Sequence, residues 1–245
     1  MTNPRHAYEP NETNRLTKKG LISVIVPVFN EEKTILSVIE RLKAVSNAVL
    51  EIVVVDDGSN DKTWEVILAI EGIVALRHDK NQGKGVAIRT ALPHTSGEAV
   101  IIQDADLEYY PEEIPLVVFP ILDGKADVVY GSRFLQRRMP KGMRWPHWLA
   151  NRLLANIAAL LYRQRISDVC TCYKAFRGDL IREMPLTCRR FEFCMEVTAR
   201  FRKRGMHIME VPISYEARSK QGGKKIGLSD AVIMMWSLIK HRFGD

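Results

Sequence analysis

Apolar runs alternate with stretches of helical spacing along the first half of the chain. Leu21–Val28 is a continuous apolar run and predicts a buried strand, and residues 32–46 place apolar side chains at helical spacing. The same pattern predicts further strands at 51–55, 73–77, 98–103 and 127–130, separated by helices at 63–70, 86–92 and 111–122. Strand–helix alternation predicts an α/β fold, with a mainly parallel central sheet and helices on both faces.

The second half continues with longer helices. We expect a helix at 146–163, strands at 167–176 and 206–215 around a helix at 193–204, and a last amphipathic helix at 228–242. Residues 1–20 are polar and are expected to be a disordered tail. With 245 residues, 46% of them hydrophobic, the chain favours one large domain, predicted at 21–227. Residues 228–245 would belong to that domain or contact a membrane surface.

The formal charge of +7 hides an asymmetry between the two halves. Residues 1–120 carry 12 Lys and Arg against 18 Asp and Glu, whereas residues 121–245 carry 24 against 11. An acidic half suits metal binding, and a basic half suits an anionic acceptor or an anionic membrane surface. Nucleic acid is the alternative partner for a basic half, but no helix-turn-helix, zinc-finger or RNA-binding signature is present, so no nucleic-acid partner is expected.

Cysteine usage and hydropathy indicate the compartment. No apolar signal sequence is present, so Cys170, Cys172, Cys188 and Cys194 are expected to be reduced thiols of a cytoplasmic protein. Their spacing is poor for a zinc site. No segment reaches the ~18 apolar residues that span a bilayer. The expectation is a protein that is soluble or peripheral at the cytoplasmic face of a membrane.

Asp104-Ala105-Asp106 ends the apolar run at 98–103. Carboxylates one residue apart at a strand end point the same way, toward the sheet edge where open α/β sheets bind ligands. Together they can hold a hard divalent cation and its phosphate, and Glu108 could add a third oxygen. Alone, the motif is weak, because carboxylates at strand ends are commonly solvated turn residues.

Two other strands also end in polar residues, Asn30-Glu31 and Asp56-Asp57. The carboxyl ends of parallel strands meet at one edge, and crowded carboxylates repel one another unless a cation or hydrogen-bond donors offset the charge. This favours a metal–nucleotide site. The competing interpretation is that Asp56 or Asp57 caps the following helix through the turn at Gly58-Ser59.

Several enzyme classes are disfavoured by missing motifs. The loop Gly83-Lys84-Gly85 resembles a phosphate cradle but lacks the P-loop spacing of an NTPase. The first strand is not followed by the glycine fingerprint of dinucleotide enzymes, and no Gly-x-Ser-x-Gly nucleophile elbow is present.

A set of motifs in fixed order carries a family resemblance. They are Val26-Pro27-Val28-Phe29-Asn30-Glu31, Asp56-Asp57-Gly58-Ser59-x-Asp61-x-Thr63, Asn81-x-x-Gly83-Lys84-Gly85-x-Ala87, Asp104-Ala105-Asp106, Gly131-Ser132-Arg133-Phe134, Asp168-x-x-x-Cys172-Tyr173-Lys174-Ala175-Phe176, Glu196, and Val211-Pro212-Ile213-Ser214-Tyr215 followed by Arg218 and Lys224. From about residue 21 to 225 the chain resembles the family-two inverting glycosyltransferases with a GT-A fold. Within them it is similar to the polyprenyl-phosphate sugar synthases of the dolichyl-phosphate mannose synthase type.

The resemblance implies roles for particular residues. Those expected at the nucleotide-sugar are Pro27, Phe29, Glu31, Val55, Asp57, Asp104, Ala105 and Lys224. Asp104, Asp106 and Glu108 would hold Mg²⁺ or Mn²⁺, although many relatives have an amide at the Glu108 position. Arg133, Arg218 and Lys224 would grip the phosphates of donor and acceptor, which makes Asp106, Arg133 and Arg218 the expected catalytic residues. Some relatives carry transmembrane helices after this domain, and this sequence ends without them, which leaves its membrane attachment open.

The implied reaction moves a sugar from GDP-mannose or a UDP-sugar to a polyprenyl phosphate. A phosphate monoester has a second pKa of about 6, so the acceptor arrives deprotonated and needs no strong base. Direct displacement would invert the anomeric centre. A soluble or glycan hydroxyl acceptor would instead need a base, for which Asp168 and Glu196 are the candidates. A silent nucleotide-sugar-binding protein and a nucleotidyltransferase are the remaining alternatives.

Two predicted helices have broad apolar faces bordered by basic residues. They hold Trp145, Trp148, Leu149, Leu153, Leu154, Ile157, Leu160 and Leu161 on the first, and Val232, Ile233, Met235, Trp236 and Ile239 on the second. Basic amphipathic helices with Trp can lie in the headgroup layer of an anionic membrane. The alternative is that these faces pack on the sheet.

Overall fold

The computed structural model describes residues 20–46, 48–135, 139–140, 142–143, 145–217 and 228–244. The predicted tail, apart from residue 20, and the segment 218–227 with Arg218 and Lys224 lie outside these ranges. The domain boundaries therefore stay a prediction.

A seven-stranded sheet in the order β3-β2-β1-β4-β6-β5-β7 forms the centre of the described molecule. The strands are β1 Leu21–Val28, β2 Val49–Asp56, β3 Val74–Arg77, β4 Ala99–Ile102, β5 Val128–Ser132, β6 Lys174–Arg177 and β7 Ile208–Pro212. Strand β6 runs antiparallel to β4 and β5, and the other pairs are parallel. The predicted α/β fold with a mainly parallel sheet is confirmed.

Eight α-helices accompany the sheet in the described ranges. They are α1 Ile35–Lys43, α2 Thr63–Leu68, α3 Lys84–Ala91, α4 Ile114–Leu122, α5 Trp145–Tyr162, α6 Gly178–Arg182, α7 Phe193–Lys203 and α8 Leu228–Phe243. Helix α1 shows why they form: Ile35, Val38, Ile39 and Leu42 recur at helical spacing and are all fully buried. Helix α6 was not predicted.

The predicted strand at 167–176 is wrong over its first seven residues. Much of the backbone there bonds to side chains, and the Tyr173 carbonyl accepts from the Gly131 amide of β5 at 2.8 Å. The amides of Ser167 and Asp168 donate to the Glu210 carboxylate, and the buried Lys174 ammonium donates to the carbonyls of Val169 and Thr171, both at 2.9 Å. These bonds satisfy the segment as a buried loop, and the strand begins at Lys174.

The sheet order brings three strand ends together. Strand β1 lies between β2 and β4, with Val28 opposite Asp56 and Ile25 opposite Ile102. The turns that follow these strands therefore share one carboxyl edge, where a ligand site is expected in an open α/β sheet.

Candidate active site

The turns after β1 and β2 are fastened to each other. The Asn30 amide donates to Ser59 Oγ at 2.9 Å, and the Asn60 amide donates back to Asn30 Oδ1 at 2.9 Å. The Glu31 amide donates to Thr63 Oγ1 at 2.8 Å, and the Glu31 side chain is 8% exposed. These hydrogen bonds hold the two turns together along the carboxyl edge of the sheet.

Asp57 is buried and binds the loop that precedes α3. It is 3% exposed and accepts hydrogen bonds from the amides of Gln82 at 2.9 Å and Gly83 at 2.7 Å. His78 Nδ1 lies 2.7 Å from the same carboxylate, and His78 Nε2 lies 3.0 Å from Thr90 Oγ1. The capping interpretation does not apply to Asp57, since the Thr63 amide at the start of α2 donates to Asp61.

Gly83 and Lys84 connect this loop to the aspartates after β4. Gly83 has a φ of 101°, and a Cβ there would lie 2.4 Å from the Arg189 carbonyl oxygen, so no other residue fits without movement. The Lys84 ammonium forms an ion pair with Asp104 Oδ1 and lies 3.0 Å from Cys172 Sγ. Burial disfavours its charge, but the Asp104 carboxylate outweighs burial and holds the pKa of Lys84 well above its usual value.

Asp104, Asp106 and Glu108 follow one another on a tight turn and are each partly exposed. Leu107 has a φ of 61°, and the Glu108 amide donates to Asp106 Oδ1 at 3.2 Å. The Tyr215 hydroxyl donates to Glu108 Oε2 at 2.6 Å. Burial and the Glu108 carboxylate raise the pKa of Tyr215, so this phenol stays protonated and donates.

The carboxylate oxygens of this turn are the candidate ligands for a metal ion. In the described part of the chain, no three or more His, Cys, Asp or Glu side chains are gathered so that they could hold an ion. A protein-only cage is therefore not preformed. The partly exposed oxygens still fit Mg²⁺, which is usually bound through one or two carboxylates together with substrate phosphates.

Arg133 follows β5, and its side chain is buried against Asp168. Its Nε lies 2.7 Å from Asp168 Oδ2, its Nη2 lies 2.8 Å from Oδ1, and Asp168 is 1% exposed. The Tyr215 ring lies beside the guanidinium, with Cζ 5.0 Å from its centroid. Burial disfavours the charge, but Asp168 outweighs burial and keeps the pKa of Arg133 well above its usual value.

The predicted nucleotide-binding residues differ in exposure. Pro27 and Phe29 are partly exposed, whereas Val55 and Ala105 are buried in the core cluster. Arg218 and Lys224 lie outside the described residues.

The sequence predicted no site role for His78 or Tyr215, and it predicted Lys84 only as part of a loop that resembles a phosphate cradle. The signal for His78 was available, because it follows β3 at the same edge as Asp57.

Comparison with known proteins identifies the family. The family model described as Glycosyl transferase family 2 matches residues 23–184. The chain belongs to glycosyl transferase family 2.

Its relatives include lipid-phosphate sugar transferases. It is 28% identical over 214 residues to UDP-N-acetylglucosamine–dolichyl-phosphate N-acetylglucosaminyltransferase of Methanococcus voltae, covering 79% of this chain and 84% of that protein. It is 28% identical over 217 residues to dolichol-phosphate mannosyltransferase of Pyrococcus furiosus, covering 84% of this chain but 59% of that protein. The chain thus spans little more than half of the mannosyltransferase.

A solved structure shares the fold. Glucosyl-3-phosphoglycerate synthase of Mycobacterium tuberculosis, crystallised with Mn²⁺, UDP and glucosyl-3-phosphoglycerate, superposes with a TM-score of 0.71. The match covers 91% of this chain and 78% of that chain at 22% identity. The predicted GT-A fold and family are confirmed, and the protein is a family 2 glycosyltransferase.

The two carboxylates considered as bases for a hydroxyl acceptor are both engaged in this glycosyltransferase. Asp168 pairs with Arg133 through both oxygens. Glu196 accepts from the Thr187 and Cys188 amides and from Arg200 Nε at 2.8 Å. Burial raises the pKa of Glu196, but these hydrogen bonds outweigh burial and leave that pKa lowered, which makes Glu196 a weak base.

Helices α5 and α8 pack against each other and keep large apolar side chains exposed. The Tyr162 hydroxyl donates to the Leu238 carbonyl at 2.6 Å, and Leu154, Ala158 and Leu238 are buried. The exposed set is Trp145, Trp148, Leu149, Leu153, Leu160, Val232, Ile233, Met235, Trp236, Ile239 and Phe243. Within the ranges that the structure covers, no helix combines the length and hydropathy of a membrane span.

Proposed function

We propose that this glycosyltransferase moves a sugar, with inversion and with a divalent cation, from a nucleotide-sugar to a polyprenyl phosphate. One observation carries the proposal. At one sheet edge, Lys84 pairs with Asp104 of the Asp104–Glu108 turn. Tyr215 contacts both Glu108 on that turn and Arg133. Carboxylates for a metal and cations for phosphates are the two requirements of this reaction. The named relatives transfer sugars to dolichyl phosphate, from UDP-N-acetylglucosamine in one case.

The donor would lie along the edge made by the ends of β1, β2 and β4. Pro27, Phe29, Glu31, Val55 and Asp57 would surround the base and ribose, with Asp104 and Ala105 against the ribose and diphosphate. The donor is GDP-mannose or a UDP-sugar. Lys84 supports this placement, since its ammonium already lies at Asp104 and would meet a diphosphate bound there.

Asp106 and Glu108, with Asp104, would hold Mg²⁺ or Mn²⁺. The bound ion would stabilise charge on the departing nucleoside diphosphate. The structural neighbour with Mn²⁺ and UDP supports a divalent cation.

The acceptor side supports a phosphate nucleophile. A polyprenyl phosphate is largely dianionic at neutral pH, with a second pKa of about 6, and can attack without a base. Asp168 and Glu196 are engaged as described, which disfavours the hydroxyl-acceptor alternative. Arg133, with Arg218 and Lys224, would hold the acceptor and donor phosphates, and its planar guanidinium suits phosphate oxygens.

The exposed apolar faces of α5 and α8 would rest on the membrane that contains the lipid acceptor. Exposed Arg163, Arg165, Lys240 and Arg242 lie at their ends and would favour anionic headgroups. We place the enzyme at the cytoplasmic face, as a peripheral protein.

The proposal is tested by a transfer assay with labelled GDP-mannose, UDP-glucose and UDP-N-acetylglucosamine. Each donor is incubated with Mn²⁺ and either a polyprenyl phosphate or 3-phosphoglycerate, and the label is followed into organic and aqueous products. We expect organic-phase product from one donor, and loss of about 10²-fold in turnover for Asp106→Ala. Transfer to 3-phosphoglycerate alone, or near-normal turnover of a well-folded Asp106→Ala protein, would reject the proposal.

A further inference from the structure

Tyr215 joins the two sides of the candidate site. Its hydroxyl donates to Glu108 Oε2 at 2.6 Å, on the turn that carries Asp104 and Asp106. Its ring lies beside the Arg133 guanidinium, with Cζ 5.0 Å from the centroid. One side chain therefore contacts both a carboxylate proposed for the metal and a cation proposed for phosphate.

The Tyr215 ring is fixed by its surroundings. Tyr109 packs edge-on against it, with centroids 5.3 Å apart and an interplanar angle of 67°. Tyr109 itself is 3% exposed and stacks on Tyr173 at 4.9 Å. Contacts of this kind hold the ring in one rotamer, so its hydroxyl is aimed before any ligand arrives.

The hydroxyl is not needed to tether this segment to the Glu108 turn. A backbone bond already does so, because the Glu216 amide donates to the Glu108 carbonyl at 3.1 Å. The hydrogen bond from Tyr215 therefore acts on the Glu108 side chain and its orientation. Partners that orient a metal-binding carboxylate typically affect metal affinity by about 10- to 100-fold.

Resting on the proposed function, we infer that Tyr215 is a positioning residue for both sides of the reaction. Its hydroxyl orients Glu108 toward the divalent cation, and its ring orients Arg133 toward the acceptor phosphate. The two roles use different parts of one side chain, so they can be separated by substitution.

The test compares Tyr215→Phe, which removes the hydroxyl and keeps the ring, with Tyr215→Leu, which removes both. Tyr110→Phe is the matched control, since it also removes a phenol hydroxyl near the turn, one that donates to Glu216 at 3.2 Å. Mn²⁺ affinity is measured by electron paramagnetic resonance in the presence of UDP or GDP. We expect a loss of about 10-fold in Tyr215→Phe and no change in Tyr110→Phe.

The ring is tested by the KM for polyprenyl phosphate. We expect this KM to be unchanged in Tyr215→Phe and several-fold higher in Tyr215→Leu, on the order expected for losing a partly buried cation–π contact. Because phenylalanine preserves the packing against Tyr109, Tyr215→Phe decides the hydroxyl role even if the leucine variant unfolds.

The outcomes separate this inference from the function on which it rests. Wild-type protein that binds Mn²⁺ with nucleotide, together with an unchanged Tyr215→Phe, overturns the role of the hydroxyl alone. Equal acceptor KM values for the phenylalanine variant and a folded leucine variant overturn the role of the ring. Wild-type protein that does not bind Mn²⁺ with either nucleotide refutes the proposed metal site and this inference together.

Discussion

At the residue scale, Asp57 holds the loop before Lys84 in place by accepting hydrogen bonds from the Gln82 and Gly83 amides. Its motif and its place after a strand predicted a residue at the ligand edge, and the sheet order brings it there. Its two backbone partners could not be predicted, because the Gln82 and Gly83 amides lie 25 and 26 residues away and backbone groups leave no signal in a sequence. Through these hydrogen bonds, the Asp57 carboxylate fixes the position of the loop that leads to Lys84.

We predict that Asp57→Asn destabilises the protein and weakens nucleotide binding. The substitution removes one acceptor oxygen from a buried group with three partners, so the free energy of unfolding should fall by about 1–3 kcal/mol. Urea unfolding and UDP or GDP binding measure the two effects. Asp123→Asn is the control, because its pair with Lys125 lies at the surface, and it should change stability by no more than about 0.5 kcal/mol. Equal stabilities of the two variants would contradict the role of Asp57 in holding the loop before α3.

At the element scale, the apolar pattern predicts regular segments well and irregular ones poorly. Strand β1 has the predicted bounds because its run of Val and Ile is buried almost throughout. Residues 167–173 were predicted as part of a strand, yet hydrogen bonds from Lys174 and to Glu210 hold them as a loop. The predicted start of α3 was two residues late, since Lys84 and Gly85 already belong to the helix.

The start of α3 yields a prediction about Gly83. Gly83→Ala should destabilise the protein more than Gly72→Ala, although both residues have positive φ values, 101° and 69°. A positive φ costs an alanine about 1–3 kcal/mol at either position. At Gly83 the new Cβ also meets the Arg189 carbonyl at 2.4 Å, whereas at Gly72 nothing lies within 4 Å. Thermal unfolding of the two variants measures this difference. Equal losses of stability would contradict the prediction, because they would show that the loop before α3 adjusts to the new Cβ at no cost in free energy.

Glu196 on α7 accepts hydrogen bonds from the Thr187 and Cys188 amides, and these bonds should make the free energy of unfolding depend on pH. Hydrogen bonds lower the pKa of Glu196 below its reference value of 4.5, so its stabilising contribution is complete above that value. The contribution is lost as pH falls through the lower pKa of the folded state. The difference in unfolding free energy between wild type and Glu196→Gln should therefore be full at pH 7 and shrink below about pH 4.5.

Urea unfolding across this pH range measures that difference. Glu65→Gln on the exposed surface of α2 is the control and should leave stability within about 0.5 kcal/mol at every pH. A difference for Glu196→Gln that grows as the pH falls below about 4.5 would contradict the sign of the pKa shift.

At the scale of the whole molecule, the first half of the chain supplies one side of the site, and the second half supplies Arg133, Tyr215 and the exposed apolar faces. The residues of the Asp57–Lys84–Asp104 side come from the acidic first half, and α5 and α8 come from the basic second half. The sequence predicted both helices but could not decide between packing and exposure. The helices pack on each other and on α7, so Leu154 and Ala158 are buried while Leu153 and Leu160 of the same helix are exposed.

We predict that the exposed face of α8 contributes to membrane binding. Trp236→Asp should reduce co-sedimentation with vesicles containing anionic lipid, because Trp236 is 63% exposed on the proposed contact face. Leu68→Asp is the matched control, since Leu68 is 62% exposed on α2 and lies outside that face. Binding of the wild type should also weaken with salt. Equal loss in the two variants, or no wild-type binding at low salt, would contradict the membrane contact.

The most direct measurement is the structure of the reaction product. Purified protein would be incubated with an α-linked nucleotide-sugar, a short-chain polyprenyl phosphate and Mn²⁺, and the anomeric configuration of the lipid product read by nuclear magnetic resonance. We predict a β-linked polyprenyl phosphate sugar that is not formed when a chelator removes the metal. An α-linked product, or undiminished product with chelator present, would contradict an inverting, metal-dependent transfer at this edge of the sheet.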